Sequence, residues 1–343
     1  MTKTPIHITD VRCASTEEWD SVWHTCPSAT FFHSRLWAEA WASYTQGDVW
    51  PAPRLITFAD GCEALLPLSA QAALKGSATI YLSSPGGTYG GWISKHSLTT
   101  GHAKLLWSYI KAACPTLVCR VNPYDEHFVR IIPSDGSDVT FDETHALDLR
   151  VDVEVLRRRM QPAQIPRKVR RAEEWGLRLR RLEREHLTTY YDIYIESRRL
   201  WQRSTNDYPL ALFRHLWSTP FCDFWGVYTN EGALVCGGPI LTSRNHVVSW
   251  LTLTRTAALS THASTFFYFQ LINHYKAKGY TWFDFNPSGG HEGVRAYKRS
   301  FGATPLPSVV FRQESLAVRC LGHLTTMARG LTAVTAGTRV LHS

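Results

Sequence analysis

The stretch Phe283-Asp284-Phe285-Asn286-Pro287-Ser288-Gly289-Gly290, followed by Gly293-Val294-Arg295-Ala296-Tyr297-Lys298-Arg299-Ser300-Phe301-Gly302-Ala303, decides how this chain folds. Trp282 and Asp284 alternate with Phe283 and Phe285, the period of a strand whose faces meet different surroundings. A Gly/Pro/Ser turn ends that strand, and a basic, aromatic segment returns toward the sheet. Ligands of α/β folds collect beyond the carboxyl ends of strands. Asp284, Tyr297, Lys298 and Arg299 are therefore expected around one crevice.

Outward from that segment, 343 residues exceed the usual size of one domain and predict two. A 44% hydrophobic content with 13 Trp, 14 Tyr and 15 Phe supplies material for buried cores and argues against disorder. No apolar run approaches the length of a membrane span. The N-terminus lacks the basic-then-apolar build of a secretion signal, so a cytoplasmic protein is expected. Eight scattered cysteines form no CxxC pair, and the 15 histidines show no ligand spacing, so reduced thiols and no metal site are expected. Nothing in the sequence calls for an oligomer, and a monomer is expected.

The net charge of +8 has one origin. Arg157 to Arg184 holds eleven basic residues against Glu173, Glu174 and Glu183, and that excess equals the charge of the whole chain. Within it, Ile165, Val169 and Ala172 form a helical apolar stripe and leave Arg167, Lys168, Arg170 and Arg171 outward. A solvated face is one reading. Phosphates of a tRNA acceptor stem, a nucleotide-linked acceptor or a coenzyme A pyrophosphate are the other.

The remaining pattern places a strand at 6–11, helices near 16–23 and 35–44, and a hairpin at 54–68 turning on Ala59-Asp60-Gly61. A strand near Ile80, a loop over 83–91, a helix at 101–113 and a strand at 117–121 complete the first half. The polar cluster Ser134-Asp135-Gly136-Ser137-Asp138 reads as a boundary. A strand near 146–149, helices at 153–160 and 165–175, a strand at 177–182 and a helix at 187–202 follow. Strands at 224–229, 233–241 and 246–254, a helix at 266–278 and the opening strand then close the second half. The expected units are 1–137, 138–313 and a helical tail at 314–343.

The order of features resembles the Fem-type transferases, a branch of the GNAT acyltransferase superfamily. The resemblance lies in Ile165 to Gly176, in Phe283-Asp284-Phe285 with its turn, in Tyr297-Lys298-Arg299-Ser300-Phe301-Gly302 and, more weakly, in Ala29 to Trp37. It implies an α+β fold of two tandem GNAT-like domains, each with a mixed central sheet flanked by helices. It also implies amide-bond formation, with aminoacyl-tRNA as co-substrate and a peptide-like or nucleotide-linked acceptor. A backbone N–H on the strand over Val247 to Thr254 would polarise the carbonyl, and Tyr297 would serve as general acid. A packing aromatic is the other reading of Tyr297. Asp284 would act as base or orient the amine; a salt bridge to Lys298 or Arg299 is the other reading. Lys298 and Arg299 join the four helix cations as candidate phosphate or substrate ligands.

This chain departs from the coenzyme A-dependent members at the turn Arg255 to Ser264, which holds no glycine. It is also too short between Arg184 and Cys222 for the helical arm of the cell-wall glycyl transferases. An acyl-CoA-dependent N-acyltransferase and a non-catalytic module binding an anionic polymer remain alternatives, and no tightly bound cofactor is expected.

Overall fold

The computed structural model describes residues 6–73, 76–132, 139–161, 164–200 and 207–315. The chain opens with β1 (Ile8–Arg12), α1 (Thr16–Thr25) and α2 (Arg35–Tyr44). Ser15 starts α1 through a capping box with Glu18, and Trp19, Val22 and Trp23 form its buried face. Next come β2 (Val49–Pro51), β3 (Arg54–Phe58), β4 (Glu63–Leu66), β5 (Ser69–Ala73) and β6 (Ala78–Leu82). Gly61, at φ +83°, supplies the left-handed residue that the β3–β4 turn requires. The first half ends with α3 (Thr100–Ala113), β7 (Leu117–Arg120) and α4 (Glu126–Ile131).

After β8 (Val139–Thr140) and β9 (Glu143–Asp148), the second half runs through α5 (Val153–Arg159), α6 (Ile165–Glu174), β10 (Arg178–Arg181), α7 (Leu187–Leu200) and α8 (Leu210–Trp217). Four strands follow: β11 (Cys222–Tyr228), β12 (Leu234–Thr242), β13 (His246–Ser249) and β14 (Leu253–Thr254). The described chain closes with α9 (Ala263–Ala277), β15 (Trp282–Asp284), α10 (Glu292–Ser300), β16 (Thr304–Pro307) and β17 (Val310–Gln313).

Among the described residues, three sheets result. β1, β3 and β4 form a small antiparallel one. The second has the order β2-β5-β6-β7-β17-β8 and is mixed, because β6 and β7 run parallel. The third has the order β10-β11-β12-β13-β15-β9-β16, with β14 also on β12, and its β13–β15 pair is parallel. The expected α+β plan of two mixed sheets flanked by helices is therefore present.

The expected division at residue 137 does not describe the strand pairing. β8 and β17 both join the first sheet, with Phe311 opposite Cys119 and Val139. The chain thus returns to its first half after finishing the second. The polar cluster at 134–138 and nearly all of the expected tail lie outside the described residues.

The two faces of the large sheet bury different material. On one side α6 and α9 contribute Val169, Ala172, Phe267 and Leu271 to a core with Phe283 and Phe285. Burying each large apolar side chain contributes about 1.5–3 kcal/mol. On the other side α1 and α2 from the first half pack with α7 and α8, and the Trp37 and Trp250 rings meet at 5.2 Å. That shared core holds the halves together.

Candidate active site

The large sheet splits where GNAT chemistry is expected. β13 stays parallel to β15 as far as Val248, opposite Asp284. The chain then leaves the ladder at Trp250 to Thr252, with Leu251 at φ +55°, and β14 pairs with β12 alone. The expected strand over 246–254 is thus two strands with a break, and β14 lacks the pairing with β15 that β13 makes. Irregularities of this kind re-aim backbone groups beside active sites. Gly238 on β12 lets the break come close: a Cβ there would meet Leu251 O at 2.8 Å and Thr252 Cα at 3.0 Å. The Tyr190 hydroxyl fixes the break by donating to Leu251 O at 2.8 Å, and Ser249 and Thr252 join their hydroxyls at 2.7 Å.

α9 begins a few residues later. A 3-10 turn over Thr256–Thr261 leads to His262, left-handed at φ +59°, and the helix starts at Ala263. The first-turn N–H groups have no partner within the helix and lie at the positive end of its dipole. Tyr297 of α10 reaches this turn, donating to Ser264 Oγ at 3.2 Å and lying 3.4 Å from Thr265 Oγ1. Its ring packs edge-on against Tyr268 and Phe301. Burial raises its phenol above the ordinary value, so it keeps its proton at neutral pH. Tyr297 also lines a cleft of about 340 Å³ with Gln161, Gln164, Lys168 and Gly293.

The basic helix borders the same place. Lys168 lines the cleft, and burial first, then the charges of Lys168, Arg171 and Arg167, lower the pKa of His262. Ile165, Val169 and Ala172 anchor α6 as the sequence predicts. Gly176 ends it at φ +72°, where a Cβ would run into the Asn230 amide at 2.0 Å. Arg170 is exposed and lies off this face by helical spacing.

Asp284 sits elsewhere. It is fully buried and faces the first half of the chain. Its Oδ2 accepts from Tyr124 Oη at 2.7 Å and Tyr89 Oη at 3.0 Å. Its Oδ1 accepts from Thr144 Oγ1 at 2.6 Å and the Asn286 N–H at 2.7 Å. Burial raises its pKa although all four donors favour the anion. Neither expected salt bridge is made. Lys298 is buried and donates to Asn286 O and, at 2.9 Å, to Ser288 Oγ, fixing the turn after β15. Burial lowers its pKa to about 8, while Asp284 and Asp142 oppose that shift. Arg299 is exposed and pairs with Glu292.

The structure therefore brings Tyr297 and Lys168 to one cleft, with Arg167 and Arg171 on the same helix. It sets Asp284 and Lys298 behind them and leaves Arg170 and Arg299 at the surface. The expectation of one crevice shared by carboxylate, phenol and cations is corrected: Trp282 and Asp284 share the sheet face turned to the first half, while Tyr297 lies on the face covered by α9. Ser249, Thr252, Ser264, Thr265 and Tyr268 were not singled out in the sequence. Their only signal is hydroxyls placed inside otherwise apolar segments.

Away from the cleft, Asp60, Cys62 and His102 bring ligand-type atoms within 4.8 Å of one another. The arrangement has a structural explanation, because Nε2 of His102 meets Asp60 Oδ2 at 3.0 Å while Nδ1 takes the Thr99 N–H.

Residues 157–299 match the family described as acetyltransferase (GNAT) domain. Among solved structures, FemX superposes with a TM-score of 0.66 and 11% identity over 88% of this chain and 96% of its own. The C-terminal DUF2156 domain of a putative lysylphosphatidylglycerol synthetase from Agrobacterium fabrum gives 0.54 and 11%, over 91% and 95%. L-PGS from Bacillus licheniformis gives 0.52 and 15%, over 80% and 88%. No curated protein matches the sequence significantly. These likenesses show the fold: a GNAT domain over residues 157–299 within an architecture similar to that of FemX. That architecture has two GNAT-like units in tandem.

Proposed function

We propose that the protein forms an amide bond, moving an aminoacyl group from aminoacyl-tRNA to the amine of a peptide-like or nucleotide-linked acceptor. Peptidoglycan precursors and peptide natural products belong to that acceptor class. One observation carries the reading: Lys168 of the basic helix lines the same cleft as Tyr297, and Arg167 and Arg171 lie on the adjoining turns of α6. Phosphates suit such a cationic rim. One of the structures similar in fold is a domain of a putative lysylphosphatidylglycerol synthetase, and a lysyl group is an aminoacyl group.

In this reading the donor ester lies beside the strand break, with its carbonyl oxygen toward the backbone N–H groups there. The acceptor amine attacks the carbonyl carbon, and the C–N bond forms as the ester C–O bond breaks. The leaving ribose oxygen takes the Tyr297 proton, and the new ammonium returns one to the phenolate. Tyr297 is protonated at neutral pH and so has a proton to give to the leaving oxygen. Lys298 and Asp284 hold the turn after β15 and the junction of the halves.

The alternative is an acyl-CoA-dependent N-acyltransferase, favoured by the free N–H groups in the first turn of α9. The turn before α9 favours tRNA, because Thr256–Thr261 is a 3-10 helix without the glycine that coenzyme A-dependent relatives use to cradle pyrophosphate. A panel of charged tRNAs and acyl-CoAs, offered with small amines and read by mass spectrometry, decides between them. Amide product from acyl-CoA alone would replace the tRNA reading. RNA binding with no product from any donor would leave a binding module.

A further inference from the structure

The face of α6 that borders the cleft does not end at its cations. Gln164, Lys168, Arg171 and Trp175 follow one another at spacings of four, three and four residues, which aligns them along one side of a helix. Gln164 and Lys168 line the Tyr297 cleft, and Arg171 acts on His262 beside it. Trp175 closes the row at the helix C-cap, about 10 Å along the axis from Lys168 at the rise of an α-helix. Its side chain is 63% exposed, although the apolar stripe of Ile165, Val169 and Ala172 is complete without it. Its backbone is held by hydrogen bonds from the Trp175 N–H to Arg171 O at 3.0 Å and from the Gly176 N–H to Glu173 O at 2.8 Å. A rigidly mounted, uncovered indole in line with two cations is the pattern of a single-stranded nucleic-acid track, where cations follow phosphates and an aromatic face receives a base.

We propose that Trp175 stacks on an unpaired nucleobase in the single-stranded 3′ end of the donor RNA, whose phosphates run along Lys168 and Arg171 into the cleft. This rests on the tRNA reading above and adds to it a base-binding subsite. RNA is favoured over a lipid surface because Trp175 extends a line of cations rather than joining an apolar cluster on that helix face.

The test measures binding of deacylated tRNA, intact or trimmed of its single-stranded 3′ end, to the wild type and to Trp175→Ala and Trp175→Phe. Stacking losses on alanine substitution predict about tenfold weaker binding of intact tRNA by Trp175→Ala, and within about threefold of wild type for Trp175→Phe. With trimmed tRNA the wild type and Trp175→Ala should bind alike. Circular dichroism checks folding, and Trp175→Phe keeps the test informative if the alanine variant is damaged. Wild-type affinity for intact tRNA in Trp175→Ala would overturn the subsite and leave the donor reading standing. No tRNA binding by the wild type would overturn both. A Trp175→Ala loss confined to coenzyme A or to vesicles of anionic phospholipid, with tRNA affinity unchanged, would likewise reject the subsite.

Discussion

Tyr124 of the first half donates its hydroxyl to Oδ2 of the fully buried Asp284 of the second at 2.7 Å. With Tyr89 and Thr144 it gives this carboxylate partners 140 to 195 residues distant in sequence. Asp284→Ala should strip three buried hydroxyls of their acceptor. Unmade buried hydrogen bonds each cost about 1–3 kcal/mol, so a loss of about 3 kcal/mol or more is expected in denaturant unfolding. A loss under about 1 kcal/mol would show the network to be dispensable.

The same carboxyl group has a pH signature. Its pKa is raised in the folded state above the unfolded value. The folded state therefore holds the proton more tightly, and ionisation removes stability as pH rises through the raised pKa. Relative to Asp284→Asn, which stays neutral, the wild type should gain stability as the medium becomes mildly acidic. A stability difference between the two that does not change with pH would contradict the raised value.

Lys298 behaves in the opposite sense from an ion-paired lysine. Its folded pKa, about 8, lies below the ordinary value, so the folded state releases the proton more readily. The burden of the buried ammonium is fully present below pH 8 and fades as pH rises from there toward the unfolded value of about 10.4. Lys298→Met should abolish this slope in stability measured from pH 7 to 10.

Tyr297→Phe keeps the ring that packs on Tyr268 and Phe301 and removes only the hydroxyl. Turnover should fall about 10²-fold or more, the usual range for losing a general acid, with unfolding midpoint little changed. Full activity would leave the residue a packing role only.

Gly238→Ala tests the strand break. The added methyl cannot fit against Leu251 O and Thr252 Cα without moving them. A stability loss of about 1–3 kcal/mol and a larger fall in turnover than in substrate affinity are expected. Unchanged turnover would remove the break from the catalytic account.

Much of this fold is legible residue by residue. α2 spans the predicted 35–44, and the stripe of α6 falls on the predicted positions, because period and caps are local signals. α8, α10, β16 and β17 are not legible. In α10, Gly293 and four charged residues obscure a helix whose buried members include Lys298 and Ser300, polar groups that a hydrophobic pattern does not report. β17 is four residues whose reason for being extended is Cys119, nearly two hundred positions earlier. At the site, Tyr297 and the α6 cations follow from motif and composition. The burial of Asp284 does not, since its environment is built by Tyr89 and Tyr124, which carry no mark in the sequence as its partners.

The return of β17 to a place between β7 and β8 bears on how the protein is made. While the ribosome is still translating the second half, the earlier sheet has a vacant slot that only the last described strand can fill. Neither half can reach its final state in isolation, and a chain cut before Val310 should expose the open edge of β7. Such edges recruit other strands, so premature termination is expected to yield aggregates rather than an autonomous first domain.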